Sequence, residues 1–142
     1  MRGVGFLTAT AVVAEAGDLR RFDHPRQLMA FLGLVPSERS TGDTRRQGGI
    51  TKTGNSSART ALVEAAWTYR PSARVGITHQ RRQQRLPQQI RDIAWKAQSR
   101  VCARYRCLVA KGKRNTVAIT AIAREIAAFL WAIAREVDPA LI

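Results

Sequence analysis

Acidic side chains are scarce in this 142-residue sequence, which has 10 Asp and Glu residues against 24 Lys and Arg residues and a formal net charge of +14. The shortage is greatest between residues 70 and 114, where 13 cations accompany a single acid, Asp92. Such a segment repels itself unless a polyanion lies against it. Codon bias also enriches Arg, but it does not by itself explain the missing acids, so nucleic acid is favoured over a merely solvated basic face.

Metal-ligating and disulfide-forming residues are also few. Cys102 and Cys107 are five residues apart on a predicted helix, a spacing that suits neither a disulfide nor a zinc site. The two histidines are isolated and the acids are scattered, so we expect no metal site in this chain. Reduced cysteines indicate an intracellular protein.

No uncharged apolar run at the start of the chain is long enough to span a membrane. The first apolar stretch reaches Glu15 and Asp18 too soon, and it lacks a convincing signal-peptide cleavage site. We therefore expect a cytoplasmic protein with no membrane partner.

Strand-like alternation is rare, whereas apolar residues recur at helical spacing. The pattern predicts helices over residues 6–16, 24–34 and 56–69, and a long pair from residues 87 and 115 onward. We expect one all-α domain over 1–142. Its parts are a helix-hairpin-helix-like segment (1–33), a basic loop that could hold a short hairpin (34–55), a helix (56–70), a flexible basic connector (71–86) and an antiparallel helical pair (87–142).

Three glycine-containing segments are candidates for phosphate binding. In "RGVGFLTATA", Gly3 and Gly5 flank one apolar residue, as in the second half of a helix-hairpin-helix, and expose backbone N–H groups at a helix start. The first half of such a hairpin would lie before residue 1, so we expect the chain to be the C-terminal piece of a longer protein. The loop and connector supply the further candidates Arg39, Arg45, Arg46, Lys52, Arg81, Arg82 and Arg85.

The loop also places two hydroxyls, Ser40 and Thr41, among its cations. A serine oxygen can attack a phosphodiester if guanidinium groups neutralise the charge of the transition state. The alternative is that Ser40 only caps a turn, as serines in loops commonly do.

Several longer strings, in order, are "GDLRRF", "FLGLVPSE", "STG", "GGITKTGN", "LVEAAWTYR" and "VAITAIAREIAAFLWAI". Together they closely resemble the C-terminal transposase domain of the insertion-sequence one-ten/one-sixteen family. These are DEDD-type transposases with a RuvC-like N-terminal domain, and some of them are bridge-RNA-guided. The resemblance covers nearly the whole chain and implies a role in DNA transposition.

The resemblance also implies roles for individual residues. The family's serine nucleophile maps onto Ser40, with Thr41 as the neighbouring alternative, while Asn55 and Arg59 join the basic motif that follows. Mg²⁺ is expected only with the N-terminal acidic domain, which this chain lacks, so we expect a truncated and inactive transposase. Arg39 departs from the aromatic or small residue that the family carries before the serine.

The expected partners are DNA, in some members a guide RNA, and further copies of the chain, because strand exchange needs more than one active site. A non-catalytic nucleic-acid-binding helical module is the main alternative function. A small RNA-binding protein of the ribosomal kind is less favoured, since the apolar last helix requires a helical partner.

Overall fold

The computed structural model describes residues 1–137, apart from the side chain of Arg39. Six α-helices, one 3₁₀ turn and one two-stranded sheet are present in that range, so the predicted, mostly helical fold is confirmed. In chain order the elements are α1 (Phe6–Ala16), the 3₁₀ turn (Leu19–Arg21), α2 (Pro25–Phe31), β1 (Pro36–Thr41), β2 (Thr44–Ile50), α3 (Ser56–Trp67), α4 (Ile77–Gln83), α5 (Gln88–Ala110) and α6 (Asn115–Glu136). The last five residues of the predicted helical pair, 138–142, lie outside the described range.

The core is organised around α6, which packs against α2, α3 and α5. Its apolar stripe is fully buried at Ile119, Ile122 and Ile126. Helices α5 and α6 run antiparallel, because Tyr105 lies beside Asn115 while Arg100, farther from the connecting turn, pairs with Glu125. The predicted helical pair is therefore confirmed.

By length and composition alone, α6 is also apolar enough to cross a membrane. The core helix of a soluble protein passes the same test, and here α6 lies among three other helices. The length and hydropathy of α6 are therefore weak evidence for a membrane-spanning helix, because its packing is that of a core helix.

The helix boundaries follow the signals in the sequence. Gly17 and Gly33 adopt positive φ angles of 66° just after α1 and α2, which ends those helices. Asn55 caps α3, since its side-chain oxygen accepts a hydrogen bond from the Ser57 amide at 2.7 Å. Helix α3 ends at Trp67, two residues before the predicted end.

Residues 34–55, predicted as a basic loop that could hold a short hairpin, contain a β-hairpin over most of their length. Strands β1 and β2 pair antiparallel, and the pairs run from Pro36–Ile50 to Thr41–Thr44 with an irregularity after Pro36. Alternation of apolar and polar residues marks a strand only when one face is buried. The described side chains of this hairpin are largely exposed to solvent, so the strands leave no such signal.

A difference from the predicted fold lies in residues 71–86, which contain helix α4 rather than only a flexible connector. Helix α4 has no buried residue, and Ile77 at its start is 70% exposed. Because helical periodicity in a sequence reflects burial of one face, a helix that buries nothing could not be recognised from it.

Candidate nucleic-acid interface

The hairpin places Ser40 and Thr41 next to its two-residue turn, Gly42 and Asp43. Gly42 takes a positive φ of 57° at the first turn position, which suits glycine in a tight hairpin turn. Ser40 pairs with Arg45, and Thr41 pairs with Thr44. Both hydroxyl-bearing residues are exposed, so a strand of nucleic acid can reach either of them.

The register divides the basic residues of the hairpin between its two faces. Successive strand residues point to opposite faces, so Arg45 shares a face with Ser40 whereas Arg46 shares the other face with Thr41. Residue 39 is paired with Arg46 along the backbone. The cluster of guanidinium groups expected around Ser40 is therefore reduced, within the described side chains of the hairpin, to Arg45.

Arg45 also has an acidic partner on the same face. Its Nη2 lies 2.6 Å from Glu38 Oε1, and its Nε donates to the same oxygen at 3.2 Å. The side chains of Arg45 and Glu38 are 72% and 45% exposed, and exposed ion pairs of this kind contribute only about 0–1 kcal/mol. Arg45 can therefore leave Glu38 for a phosphate at small energetic cost.

The base of the hairpin is fixed to the end of α2 by hydrogen bonds to main-chain carbonyl oxygens. The Lys52 amide donates to Gly33 O at 3.1 Å, and Thr53 Oγ1 donates to Ala30 O at 3.1 Å. A Cβ at Gly33 would collide with the backbone of Thr53, so only glycine permits this approach. Lys52 itself is exposed and has a positive φ of 56°.

Arg59 and Asn55, predicted to contact nucleic acid, take part in the same structural junction. Arg59 Nη1 donates to Leu32 O at 3.1 Å and to Thr53 O at 2.9 Å, which ties the start of α3 to the end of α2. The Asn55 side chain caps α3, and its backbone N–H donates to Glu15 Oε1 at 3.2 Å. These contacts give both residues a role in positioning the hairpin; contact with nucleic acid stays a prediction.

The Gly3–Gly5 turn is likewise built into the fold. Gly3 has a φ of 74°, and a Cβ there would collide with Ala65 O and Thr68 Oγ1 at the end of α3. Gly5 is the N-cap of α1 and has open space around it. The following residues Phe6 and Leu7 are 84% and 82% exposed. The predicted phosphate site at this helix start therefore lies beside an exposed apolar surface.

Three arginines of residues 71–86, predicted to contact phosphates, are exposed. Arg81 and Arg82 lie in the last turn of α4, Arg85 follows it, and all three are exposed. The Gln98 side chain donates to Arg74 O and holds the preceding segment against α5. The predicted assignment of these three arginines to phosphate contacts is compatible with their exposure and is not tested by it.

A basic groove that the sequence did not reveal lies between α2, α5 and α6. Arg26, Arg100, Arg104 and Arg124 line a space of about 610 Å³ together with Glu125. Met29, Val35, Ala128 and Phe129 form its apolar part. Arg26 and Arg124 are 98 positions apart, so no local spacing could have identified the groove. Only the Arg100–Arg104 interval, one turn along a helix, was visible in the sequence.

Cys102 and Tyr69 form a buried cluster with Arg2 near the start of α1. Arg2 lies 5.2 Å from the Tyr69 ring centroid, and its Nη2 is 3.2 Å from Cys102 Sγ. Burial raises the pKa of the Cys102 thiol and also raises the pKa of Tyr69. Cys102 and Cys107 are free thiols, and Cys107 is exposed. A protonated, buried Cys102 fits the predicted structural role.

Metal ligands are not brought together within residues 1–137, where no three His, Cys, Asp or Glu side chains are grouped so that they could hold an ion. The described residues therefore do not themselves supply the Mg²⁺ ligands, which the family resemblance places in a separate acidic domain. The expectation that Mg²⁺ acts only with a separate acidic domain stays a prediction.

Comparison with known proteins identifies relatives over most of the chain. The y4qE protein of Sinorhizobium fredii, named as a transposase, is 56% identical over 136 residues, which are 96% of this chain and 35% of that protein. A Pseudomonas aeruginosa protein named as a family 20 transposase is 47% identical over 66 residues, 46% of this chain and 20% of its own length. The Coxiella burnetii transposase for insertion sequence element IS1111A is 48% identical over 64 residues, 45% of this chain and 18% of its own length.

The chain thus spans about a third of y4qE and smaller shares of the other two. The family model described as "Transposase IS116/IS110/IS902 family" matches residues 1–83, which include α1 to α3, the hairpin and α4. The family predicted from the sequence strings is confirmed, and this chain belongs to the IS116/IS110/IS902 transposase family.

Proposed function

We propose that this chain is the DNA-binding C-terminal domain of an insertion-sequence transposase and that Ser40 is its nucleophile in DNA strand exchange. The observation that carries the proposal is the position of Ser40, which is exposed beside the hairpin turn and directly opposite Arg45. The hydrogen bonds of Arg59 to Leu32 O and Thr53 O hold the base of the hairpin against the helices. A hydroxyl on such a projection can enter a groove of DNA or meet a strand end.

The proposed reaction is a transesterification. Ser40 Oγ gives up its proton and forms a bond to phosphorus, while the phosphorus–oxygen bond to the leaving deoxyribose breaks and the leaving oxygen takes up a proton. The phosphodiester bond energy is kept in the serine–DNA ester, so a second DNA hydroxyl can reverse the step on a new strand. No oxidant or reductant is required.

Arg45 supplies the positive charge on the Ser40 face in this proposal. When a phosphate approaches, its guanidinium exchanges the Glu38 carboxylate for a phosphate oxygen and stabilises the charge that develops in the transition state. Arg46 and Lys52 lie elsewhere on the exposed hairpin and its base, where they contact neighbouring phosphates. Arg39, Arg81, Arg82 and Arg85 are assigned to the same backbone contacts, and we infer that the chain alone does not cut DNA.

The nucleophile assignment can be tested in a chimaera in which this chain replaces the matched third of y4qE. The chimaera is incubated with Mg²⁺ and nicked DNA, and covalent protein–DNA adducts are resolved on denaturing gels. We expect Ser40→Ala to abolish the adduct and the matched neighbour variant Thr41→Ala to retain it. Adducts that form equally well with Ser40→Ala would show that the assignment is wrong, and loss only in Thr41→Ala would transfer the role to Thr41.

A non-catalytic nucleic-acid-binding module is the second candidate function. The Arg45–Glu38 pair favours it, because a carboxylate on the Ser40 face disfavours the build-up of negative charge in a transition state there, whereas the other exposed cations can still bind phosphates. Both candidates require binding that depends strongly on salt. If roughly 6–10 phosphates are neutralised, affinity should fall on the order of 10³–10⁵ between about 50 and 200 mM salt. A flat response would contradict both candidates.

We further propose that the chain associates with other copies of itself and that its nucleic-acid partners include a guide RNA as well as DNA. Strand exchange needs more than one active site, and an exposed apolar surface is available on α1 at Phe6, Leu7 and Val13. Sedimentation velocity of the chain over a range of concentrations tests the first point. A single monomeric species at all concentrations would contradict it.

A further inference from the structure

The groove between α2, α5 and α6 concentrates unbalanced positive charge. Arg26, Arg100, Arg104 and Arg124 surround the single carboxylate of Glu125, which leaves an excess of three positive charges. Within residues 1–137, the side chains of Arg26 and Arg124 have no acidic partner. Guanidinium groups that converge on one space without matching carboxylates favour the binding of an anion there.

Glu125 orients two of these arginines and leaves their forks available. Its side chain is 17% exposed, and its two oxygens lie 2.9 Å from Arg100 Nε and 3.6 Å from Arg104 Nε. Both contacts use Nε, so the terminal Nη atoms have no hydrogen-bond partner among the described residues. The Nη pair is the part of a guanidinium that binds a phosphate with two parallel hydrogen bonds. Because Glu125 already orders these side chains, they lose less conformational entropy when a phosphate binds them.

The remaining wall of the groove is apolar and joins the hairpin. Met29, Val35 and Phe129 supply a surface on which sugars and bases can lie, in contrast to a site for a small inorganic anion. Val35 immediately precedes β1, and Ser40 lies five residues farther along. At about 3.3 Å per strand residue this is roughly 17 Å, or about five base steps of 3.4 Å.

We infer that this arginine groove binds the sugar-phosphate backbone of the nucleic acid whose phosphodiester is presented to Ser40. The inference rests on the proposed function and extends it to four arginines that lie far from the hairpin turn. The strand lies along α5 and α6 with its phosphates on the Nη groups, and it leaves the groove at Val35 toward the hairpin. DNA and RNA share this backbone chemistry, so the experiment must separate them.

The test uses Arg26→Gln/Arg124→Gln, because neither side chain has an ion-pair partner among the described residues and the fold should tolerate the change. Binding of the full chain to duplex DNA, single-stranded DNA and RNA of one sequence is measured by fluorescence anisotropy across a salt series. For duplex DNA, losing two phosphate contacts should reduce the salt slope by about 1.8 and weaken binding roughly 30-fold near 0.15 M salt.

Two further variants make the result specific. Lys111→Gln/Lys113→Gln removes the same charge from the exposed α5–α6 turn and should weaken binding by less than about threefold. Arg26→Lys/Arg124→Lys keeps the charge and should retain most of the salt slope. Thermal melting of each variant confirms that the fold is intact.

The three probes identify the ligand. A loss confined to the DNA probes supports the groove as the path of the DNA that is presented to Ser40. A loss confined to the RNA probe would show that the groove holds a different strand and would overturn the inference. If the parent binds with a steep salt slope and Arg26→Gln/Arg124→Gln binds all three probes equally well, the groove assignment is wrong while the proposed function stands. Loss of self-association with unchanged nucleic-acid binding would make the groove a protein interface and would also overturn the inference. Failure of the Ser40 adduct experiment leaves the groove result unaffected.

Discussion

The packing of α6 can be tested with a graded series at Ile126, whose side chain is fully buried. Ile126→Val should cost about 0.5–1.5 kcal/mol of unfolding free energy. Ile126→Ala removes three carbons, worth about 0.8 kcal/mol each on transfer, and the cavity left behind raises the cost to about 2–5 kcal/mol. Ile126→Asp adds several kcal/mol for burying an unpaired carboxylate. Since domains are stable by only about 5–15 kcal/mol, this variant should be largely unfolded.

Val117→Asp is the matched control on the same helix. Val117 is 52% exposed and lies in the first turn of α6, which has no acidic residue. A carboxylate there interacts favourably with the helix dipole, so the change should be neutral or stabilising by about 0.3–1 kcal/mol. Urea unfolding followed by far-UV circular dichroism measures both variants. If Ile126→Asp unfolds at the same urea concentration as Val117→Asp, then α6 is not the core of the domain.

The remaining predictions concern the hairpin junction and the buried thiol. Arg59→Met should destabilise the protein by about 2–4 kcal/mol, because two hydrogen bonds from a charged group are lost, and should speed hydrogen exchange in the hairpin. Lys52→Gln should instead leave stability unchanged and lower the salt slope of DNA binding by about one; the reverse pattern would contradict this division of roles. Gly33→Ala should destabilise the hairpin base, since its Cβ would collide with Thr53, and an unchanged melting temperature would refute that contact. Iodoacetamide should modify exposed Cys107 in the native protein but reach Cys102 only after unfolding. Burial raises the pKa of the Cys102 thiol, so the thiolate forms more readily in the unfolded chain than in the folded protein. The stability that the buried thiol contributes should therefore decrease as pH rises above about 8.5.

The helices were predictable because they bury continuous stripes. Ile119, Ile122 and Ile126 recur at helical spacing, and Gly17 and Gly33 end α1 and α2 where the sequence indicated. The hairpin was predicted only as a possibility within a loop, and α4 was not predicted as regular structure, because neither buries a face against the core. Both elements are held by backbone hydrogen bonds, which do not produce a periodic pattern of apolar residues in the sequence.

The candidate site was predictable only in part for a similar reason. The sequence indicated an accessible serine among cations, but strand register decides which cations share its face, and it separates Arg45 from Arg46. Glu38 lies two residues before Ser40, and only the strand register shows that its carboxylate lies close enough to Arg45 to form an ion pair. Arg26 and Arg124 meet through helix packing, which a linear pattern does not encode.

The chemistry at the hairpin is tested most directly by locating the DNA on the protein. Trypsin cleaves after Arg39 and Arg45, so the adduct formed by the y4qE chimaera should release a nucleotide-modified peptide of residues 40–45. We predict that fragmentation mass spectrometry places the nucleotide on Ser40 Oγ. A nucleotide on Thr41, on Thr44 or on any residue outside this peptide would contradict the proposed mechanism.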